Sequence, residues 1–344
     1  MTDTQQGAEP AAAELPVKPA GMFGSVGLAR LRDFTLVPAI VAIMIVGYFV
    51  NPVFLHKDNL INVLQQQSEV SLIVLAEALV LIAGRMDLSL ESTFGLAPGV
   101  AAWLTLPKGL GHGLGLLSGF WAVPITLAVG MAIGLVNAML IVRFKLNGFI
   151  VTLGMLITLR GLLDGISKGK TFFNLTGSQI YLGNASWVGL PAAVWLSLLL
   201  FAIAIVVLGY TRFGRSLYAI GGNPDAARAA GIRVERTLVI TLVVASGLAA
   251  FGGMLQSGRL GSVSASQGNG EIFTVFAAAV IGGVSLNGGK GTIFGAFTGI
   301  LLLYLVRNVL QLGSVPPEWL NALNGGIILL ALIVSRITSG KAQE

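Results

Sequence analysis

Few residues in this chain of 344 could do chemistry, and their scatter limits what that chemistry could be. No cysteine occurs, which removes disulfides, thiolate nucleophiles and cysteine metal sites. His56 and His112 fall in separate loops with no acidic ligand cluster, so they read as loop surface and no metal site is expected. The run 282–292, GGVSLNGGKGT, invites comparison with a phosphate-binding loop. It fails the pattern, because Val284 stands five residues before Gly289 and Gly291 follows Lys290 where Ser or Thr is required. Any ATP-driven step therefore needs a separate subunit. No nucleophile with a base is evident either, so no catalytic residue is assigned and an intramembrane enzyme is disfavoured.

The remaining chemistry lies in charges inside apolar runs. Each costs about 2.5–3.5 kcal/mol at mid-bilayer, against roughly 0.3–0.6 returned by each large apolar residue. Arg160 and Asp164 are spaced i, i+4 in one run, share a helix face and read as a structural ion pair. Glu77 and Arg307, each lone in its run, suggest a second, interhelical pair. Two polar interruptions also resemble each other: AGRMDLSLES at 83–92 and IGGVSLNGGKGT at 281–292. Paired glycine-interrupted segments in two halves of a membrane protein point to a transport site.

The elements that must position these residues are membrane helices. Hydrophobic residues make up 55% of the chain and charged residues 10%, with mean hydropathy +0.85, where soluble domains carry about 25% charged residues. Apolar runs at 35–51, 69–84, 92–106, 120–142, 149–166, 191–210, 238–257, 273–286, 291–310 and 319–335 predict an all-α polytopic bundle of about ten transmembrane helices. The runs after Ser92 and at 273–286 are short enough to be broken or re-entrant helices ending inside the bilayer. Pro52, Pro98, Pro124 and Pro191 mark kinks or ends. The 46 glycines fit close helix approach or broken helices around a pathway.

Residues 1–33 read as a disordered cytoplasmic tail, 34–336 as the membrane domain and 337–344 as a second tail. With the amino terminus inside, alternate connections divide the basic residues 14 inside against 5 outside, with Arg160 and Arg307 in spans, accounting for all 21. Both termini are therefore expected in the cytoplasm. That bias also explains the net charge of +6 without nucleic acid. On the other face, Phe172, Phe173, Tyr181 and Trp187 of the loop 167–190 are expected at the interfacial belt.

The richest basic connection is 211–237, TRFGRSLYAIGGNPDAARAAGIRVERT. It encodes a short helix with both ends marked. Asn223 can cap, Pro224 fits the first helical position, Asp225 suits the positive end, and Gly231 suits the stop after Ala226, Ala227, Arg228, Ala229 and Ala230. So short a helix is marginal alone and must rest on something.

Several blocks resemble the permease subunits of bacterial ATP-binding-cassette importers for ribose, xylose and related sugars: GRMDLS at 84–89, NGFIVTLGMLITLRGL at 147–162, GRSLYAIGGNPDAARAAGI at 214–232 and the stretch 259–301. The likeness covers about residues 35–335. Arg85, and Lys145 with Asn147, depart from the usual pattern. The resemblance implies a bacterial inner-membrane protein with a second permease chain, two cytoplasmic ATPase domains and a periplasmic sugar-binding protein, and ATP and Mg held by the ATPase rather than by this chain. It implies that Asn223, Pro224, Asp225, Ala226, Ala227, Arg228 and Gly231 form the coupling helix that docks into the ATPase. A neutral sugar needs hydroxyl and amide partners, which makes Asp87, Ser89, Thr152, Gln256 and Asn287 the candidates for the path. Autoinducer, nucleoside or another small polar solute is an alternative cargo. An ion-coupled secondary transporter would need titratable groups at mid-membrane, for which Glu77, Asp87 and Asp164 are the candidates.

Overall fold

In the computed structural model, the described residues are 36–108, 113–175 and 177–316, with Trp319, Ala322, Gly325, Gly326 and Leu329 beyond them. The two tails, His112 and most of the run 319–335 lie outside the described residues. The chain forms helices α1 (Val37–Val50), α2 (Lys57–Ile82), α3 (Leu90–Thr105), α4 (Ala122–Ala138), α5 (Gly148–Ser167) and α6 (Ser178–Asn184). There follow α7 (Ala192–Tyr210), α8 (Arg212–Gly222), α9 (Pro224–Ala229), α10 (Val234–Leu260), α11 (Glu271–Ile281) and α12 (Ile293–Leu312). It is an all-α membrane bundle. Two antiparallel two-residue ladders tie loops together: β1 (Phe172–Phe173) with β4 (Ser262–Val263), and β2 (Ser186–Trp187) with β3 (Leu190–Pro191).

Two helices organise the bundle. Every residue of α2 from Gln67 to Ile82 is buried, and α10 packs against α2, α3, α4 and α6. Glycines let α10 come this close. A methyl group on Gly252 would lie 2.5 Å from the Glu69 carbonyl oxygen, and one on Gly253 would meet the Phe94 carbonyl of α3 at 1.8 Å. Such small-residue contacts replace the hydrophobic drive that lipid cannot supply. Outer helices are barely covered: α1 buries Gly47 alone, against Phe54.

Among the described residues, five helical segments are long and apolar enough to span a bilayer: Gly119–Arg143, Gly148–Ser167, Ala192–Tyr210, Val234–Leu260 and Ile293–Leu312. At 26 residues, or about 39 Å, α2 also has the length. Its buried Gln67, Glu69 and Glu77 dilute its apolar character because it faces protein, not lipid. Both short runs fold as helices shorter than the hydrocarbon thickness. With 11 residues, α11 reaches about 16 Å, half the hydrocarbon thickness, and α3 begins at Leu90 after a non-helical run. Pro98 sits inside α3, Pro52 opens a 3-10 turn, Pro124 occupies the first turn of α4, and Pro191 precedes α7.

Candidate functional site, a coupling stretch joined to two broken segments

The 211–237 connection folds as a helical pair against the bundle. Thr211 caps α8 by accepting the Gly214 N–H at 3.3 Å, and α8 buries Gly214, Leu217 and Ile220. The next helix has the ends its sequence implies. Asn223 Oδ1 accepts the N–H groups of Asp225 and Ala226, each at 3.0 Å, with Pro224 at the first position. At the far end Gly231 takes φ +80°, and the Ile232 N–H returns to the Ala227 carbonyl at 3.0 Å. Arg228 pairs with Asp225 of its own helix at 2.8 Å and reaches Glu235 at the start of α10 at 3.2 Å, both on the exposed surface. Ala227 alone is buried in α9. Asn223, Pro224, Asp225, Ala226, Arg228, Ala229 and Ala230 are all exposed, so the helix presents one whole side outward.

Behind this helix three glycine turns meet backbone to backbone. A methyl on Gly221, at the end of α8, would lie 1.9 Å from the Ile82 carbonyl oxygen of α2 and 2.5 Å from the Gly289 nitrogen. The Gly289 N–H donates to that same Ile82 carbonyl at 2.9 Å. Gly288 closes the triangle, since a methyl there would meet the Gly84 Cα at 2.6 Å and the Gly221 oxygen at 2.7 Å. Tyr218 adds a side-chain tie, donating its hydroxyl to the Gly291 carbonyl at 2.8 Å. The two interruptions whose likeness the sequence showed are therefore neighbours in space, and the coupling stretch touches both.

Beyond Gly84 the first interruption builds a polar knot. Asp87 Oδ1 accepts the N–H and the hydroxyl of Ser89. Asn137 of α4 donates to Ser89 Oγ at 2.8 Å and to Asp87 Oδ2 at 3.4 Å. Glu77 is engaged here as well, accepting the Asp87 N–H at 3.4 Å. The suggested Glu77–Arg307 ion pair is therefore corrected: Glu77 turns toward the loop that follows its own helix. All four of these side chains are fully buried, so Asp87 and Ser89 hold a turn together in this conformation and face no open path. Asn137 is the member that sequence reading missed. An Asn within an apolar run was its signal.

The other path candidates are dispersed. Thr152 is buried and bonds back to Phe149 O at 3.3 Å in its own helix. Gln256 is half-buried on α10, and Asn287 is exposed on the loop before α12.

A second buried knot joins the two short helices α3 and α11. Glu91, in the first turn of α3, bonds Arg160 Nη2 of α5 at 3.0 Å through Oε1 and accepts the Ile272 N–H of α11 at 3.1 Å through Oε2. Arg160 also donates to the Gln267 carbonyl at 2.8 Å. The expected Arg160–Asp164 pair does not form; Asp164 is exposed, and Arg160 reaches across the bundle because Glu91 is the carboxylate already buried there. A carboxylate at the α11 amino end also suits that helix's dipole. A third link, Glu69 to Arg259 at 2.6 and 2.9 Å, ties α2 to α10 bidentately. Of the expected belt aromatics, Phe173 and Tyr181 are exposed and Trp187 partly so. Phe172 is core, packed with Ala102, Leu106 and Val263, because its strand residue turns inward toward β4.

Comparison with known proteins decides the family. The model of the family described as "Branched-chain amino acid transport system / permease component" matches residues 59–332. The chain belongs to this family. Among its relatives is the xylose transport system permease protein XylH of Escherichia coli strain K12, 28% identical over 97% of this chain and 99% of the relative. The ribose import permease protein RbsC of the same strain is 33% identical over 88% of this chain and 93% of its own length. The galactose/methyl galactoside import permease protein MglC of Salmonella typhimurium is 31% identical over 90% and 96%. No solved structure matches the chain. It is a multi-pass transport permease, and the resemblance to the ribose- and xylose-type branch holds over nearly its whole length.

Proposed function

We propose that this chain is the membrane-spanning subunit of an ATP-binding-cassette importer that carries a monosaccharide or related polyol across the bacterial inner membrane. The carrying observation is the glycine junction, where the end of α8, immediately before the exposed and doubly capped α9, packs directly against both broken segments of the membrane domain. Separate ATPase subunits, which hold ATP and Mg, dock on Asn223–Gly231. Their closure moves α8 and α9 as a unit, and Gly221 pushes on the turns at Gly84 and Gly288. The first turn leads to the Asp87–Ser89–Asn137 knot and α3, the second to α11. Glu91 bonds the start of α11, so a displacement of either α3 or α11 reaches the other. A second permease chain completes the core, a periplasmic binding protein delivers the cargo, and both termini are cytoplasmic. The sugar relatives support a neutral polyhydroxylated cargo, which calls for hydroxyl and amide partners along its path.

The test is uptake by vesicles containing the full importer, using labelled xylose, ribose and galactose with a nucleoside and leucine as competitors. Saturable uptake of a sugar that requires ATP and the binding protein, and that ignores an imposed proton or sodium gradient, is expected. Uptake driven by the gradient alone refutes the reading.

A further inference from the structure

A groove of 380 Å3 opens between the carboxyl end of α4 and the amino end of α10, a size within the range of small-ligand sites. Its walls are of two kinds. Leu135, Met139, Val142 and Val239 make it apolar, while Arg143, Lys145 and Arg236 bring three cations to its rim. All three are exposed, and among the described residues none makes an ion pair. The one acid at the groove, Glu235, is bonded to Arg228 at 3.2 Å. The local sum is therefore three positive charges against one partly satisfied negative charge.

Local backbone fixes this arrangement. The end of α4 widens into a π-helical turn, Met139–Arg143. The Phe144 N–H closes on the Met139 carbonyl at 3.1 Å, and the Leu146 N–H closes on the Leu140 carbonyl at 3.2 Å. These bonds hold Lys145 between them at φ +55°.

We propose that this groove binds an anionic phospholipid, its phosphate between Arg143, Lys145 and Arg236 and its acyl chains along the apolar walls. Charge complementarity selects an anion, and the walls select a lipid over a free phosphate. Leu135 and Met139 are half-exposed, and they continue into the exposed apolar surface of α4 at Met131 and Val136, where acyl chains lie. Basic pockets between membrane helices at one leaflet are known sites for acidic headgroups. Glu235 and Arg228 connect the groove to α9, so a bound lipid would brace the coupling helix from its membrane side. Each cation at a membrane surface contributes about a fivefold gain in affinity for acidic lipid.

The test uses the full-length chain purified in neutral detergent. Thermal unfolding is followed with added phosphatidylglycerol, phosphatidylcholine or glycerol phosphate, and native mass spectrometry counts bound lipid. Phosphatidylglycerol is expected to stabilise and remain bound, and the other two are not. Lys145→Gln alone should weaken its binding about fivefold and the triple variant R143Q/K145Q/R236Q about a hundredfold. The control R212Q/R215Q, which removes two cations elsewhere on the same face, should bind as the wild type does. Equal binding by wild type and the triple variant overturns the site, and so does equal loss in the control. Stabilisation by glycerol phosphate alone overturns the lipid assignment. Should the triple variant not fold, the single variant and the count of retained lipid decide.

Discussion

Glu91 carries the most consequential buried contacts, and its removal has a size that can be worked out. One oxygen pairs with Arg160 at 3.0 Å, and the other accepts the Ile272 N–H at 3.1 Å. The side chains of Glu91 and Arg160 are 5% and 18% exposed, so water can replace little of what is lost. Glu91→Ala leaves a buried guanidinium with the Gln267 carbonyl as its remaining acceptor, at a cost of about 3–5 kcal/mol. Arg160→Met strands the carboxylate and costs a similar amount, about 3–5 kcal/mol. The double variant E91A/R160M removes both charges and leaves mainly the Ile272 N–H and the Gln267 carbonyl unsatisfied, about 1–3 kcal/mol for each. The double change should therefore cost well below the sum of the two single changes. Unfolding in mixed micelles, followed by loss of helical circular dichroism over a denaturing-detergent titration, measures all three. A Glu91→Ala cost under about 1 kcal/mol, or a double variant whose cost equals the sum, refutes the assignment of this pair as the link between α3, α5 and α11.

Three further outcomes follow from the junction and the caps. Tyr218→Phe removes the bond to Gly291, should cost about 1 kcal/mol in stability, and should lower uptake per ATP hydrolysed in reconstituted vesicles. Gly221→Ala places a methyl 1.9 Å from the Ile82 oxygen and should sharply reduce folded protein in membranes, read by size-exclusion profile, whereas Gly222→Ala, with open space around it, should not. Asn223→Ala deprives two N–H groups of their acceptor, costs about 1 kcal/mol locally, and should weaken co-purification of the ATPase.

Much of the membrane domain was legible because hydrophobicity and length are local properties. The runs at 120–142, 149–166 and 191–210 became helices with nearly the same limits. The ends of α9 were legible for the same reason, since Asn223, Pro224 and Gly231 act on their own neighbours. Helix α8 was less visible, although Thr211 caps it and Leu217 with Ile220 form its buried stripe. Partners across the bundle were not legible. Helical spacing proposed Asp164 for Arg160, but a buried cation goes to whichever carboxylate tertiary packing buries beside it, here Glu91. Ala227 shows the same limit, because only the fold reveals that it faces the bundle while Ala226 and Ala229 face outward. The junction of Gly84, Gly221 and Gly288 was half visible, as similar glycine-rich interruptions whose contact only coordinates could establish.

The central claim is that an ATPase drives transport through the exposed face of Asn223–Gly231, and the most direct measurement changes that face alone. Ala226 is exposed and lies near the positive end of α9, so Ala226→Glu adds bulk and charge to the outward surface while suiting the helix dipole. Sugar uptake and substrate-stimulated ATP hydrolysis by the reconstituted importer should fall together, by about tenfold or more for a loss beyond 1.4 kcal/mol at the docking interface, with thermal stability of the isolated chain unchanged. Wild-type uptake and hydrolysis by a correctly folded Ala226→Glu importer would contradict the account.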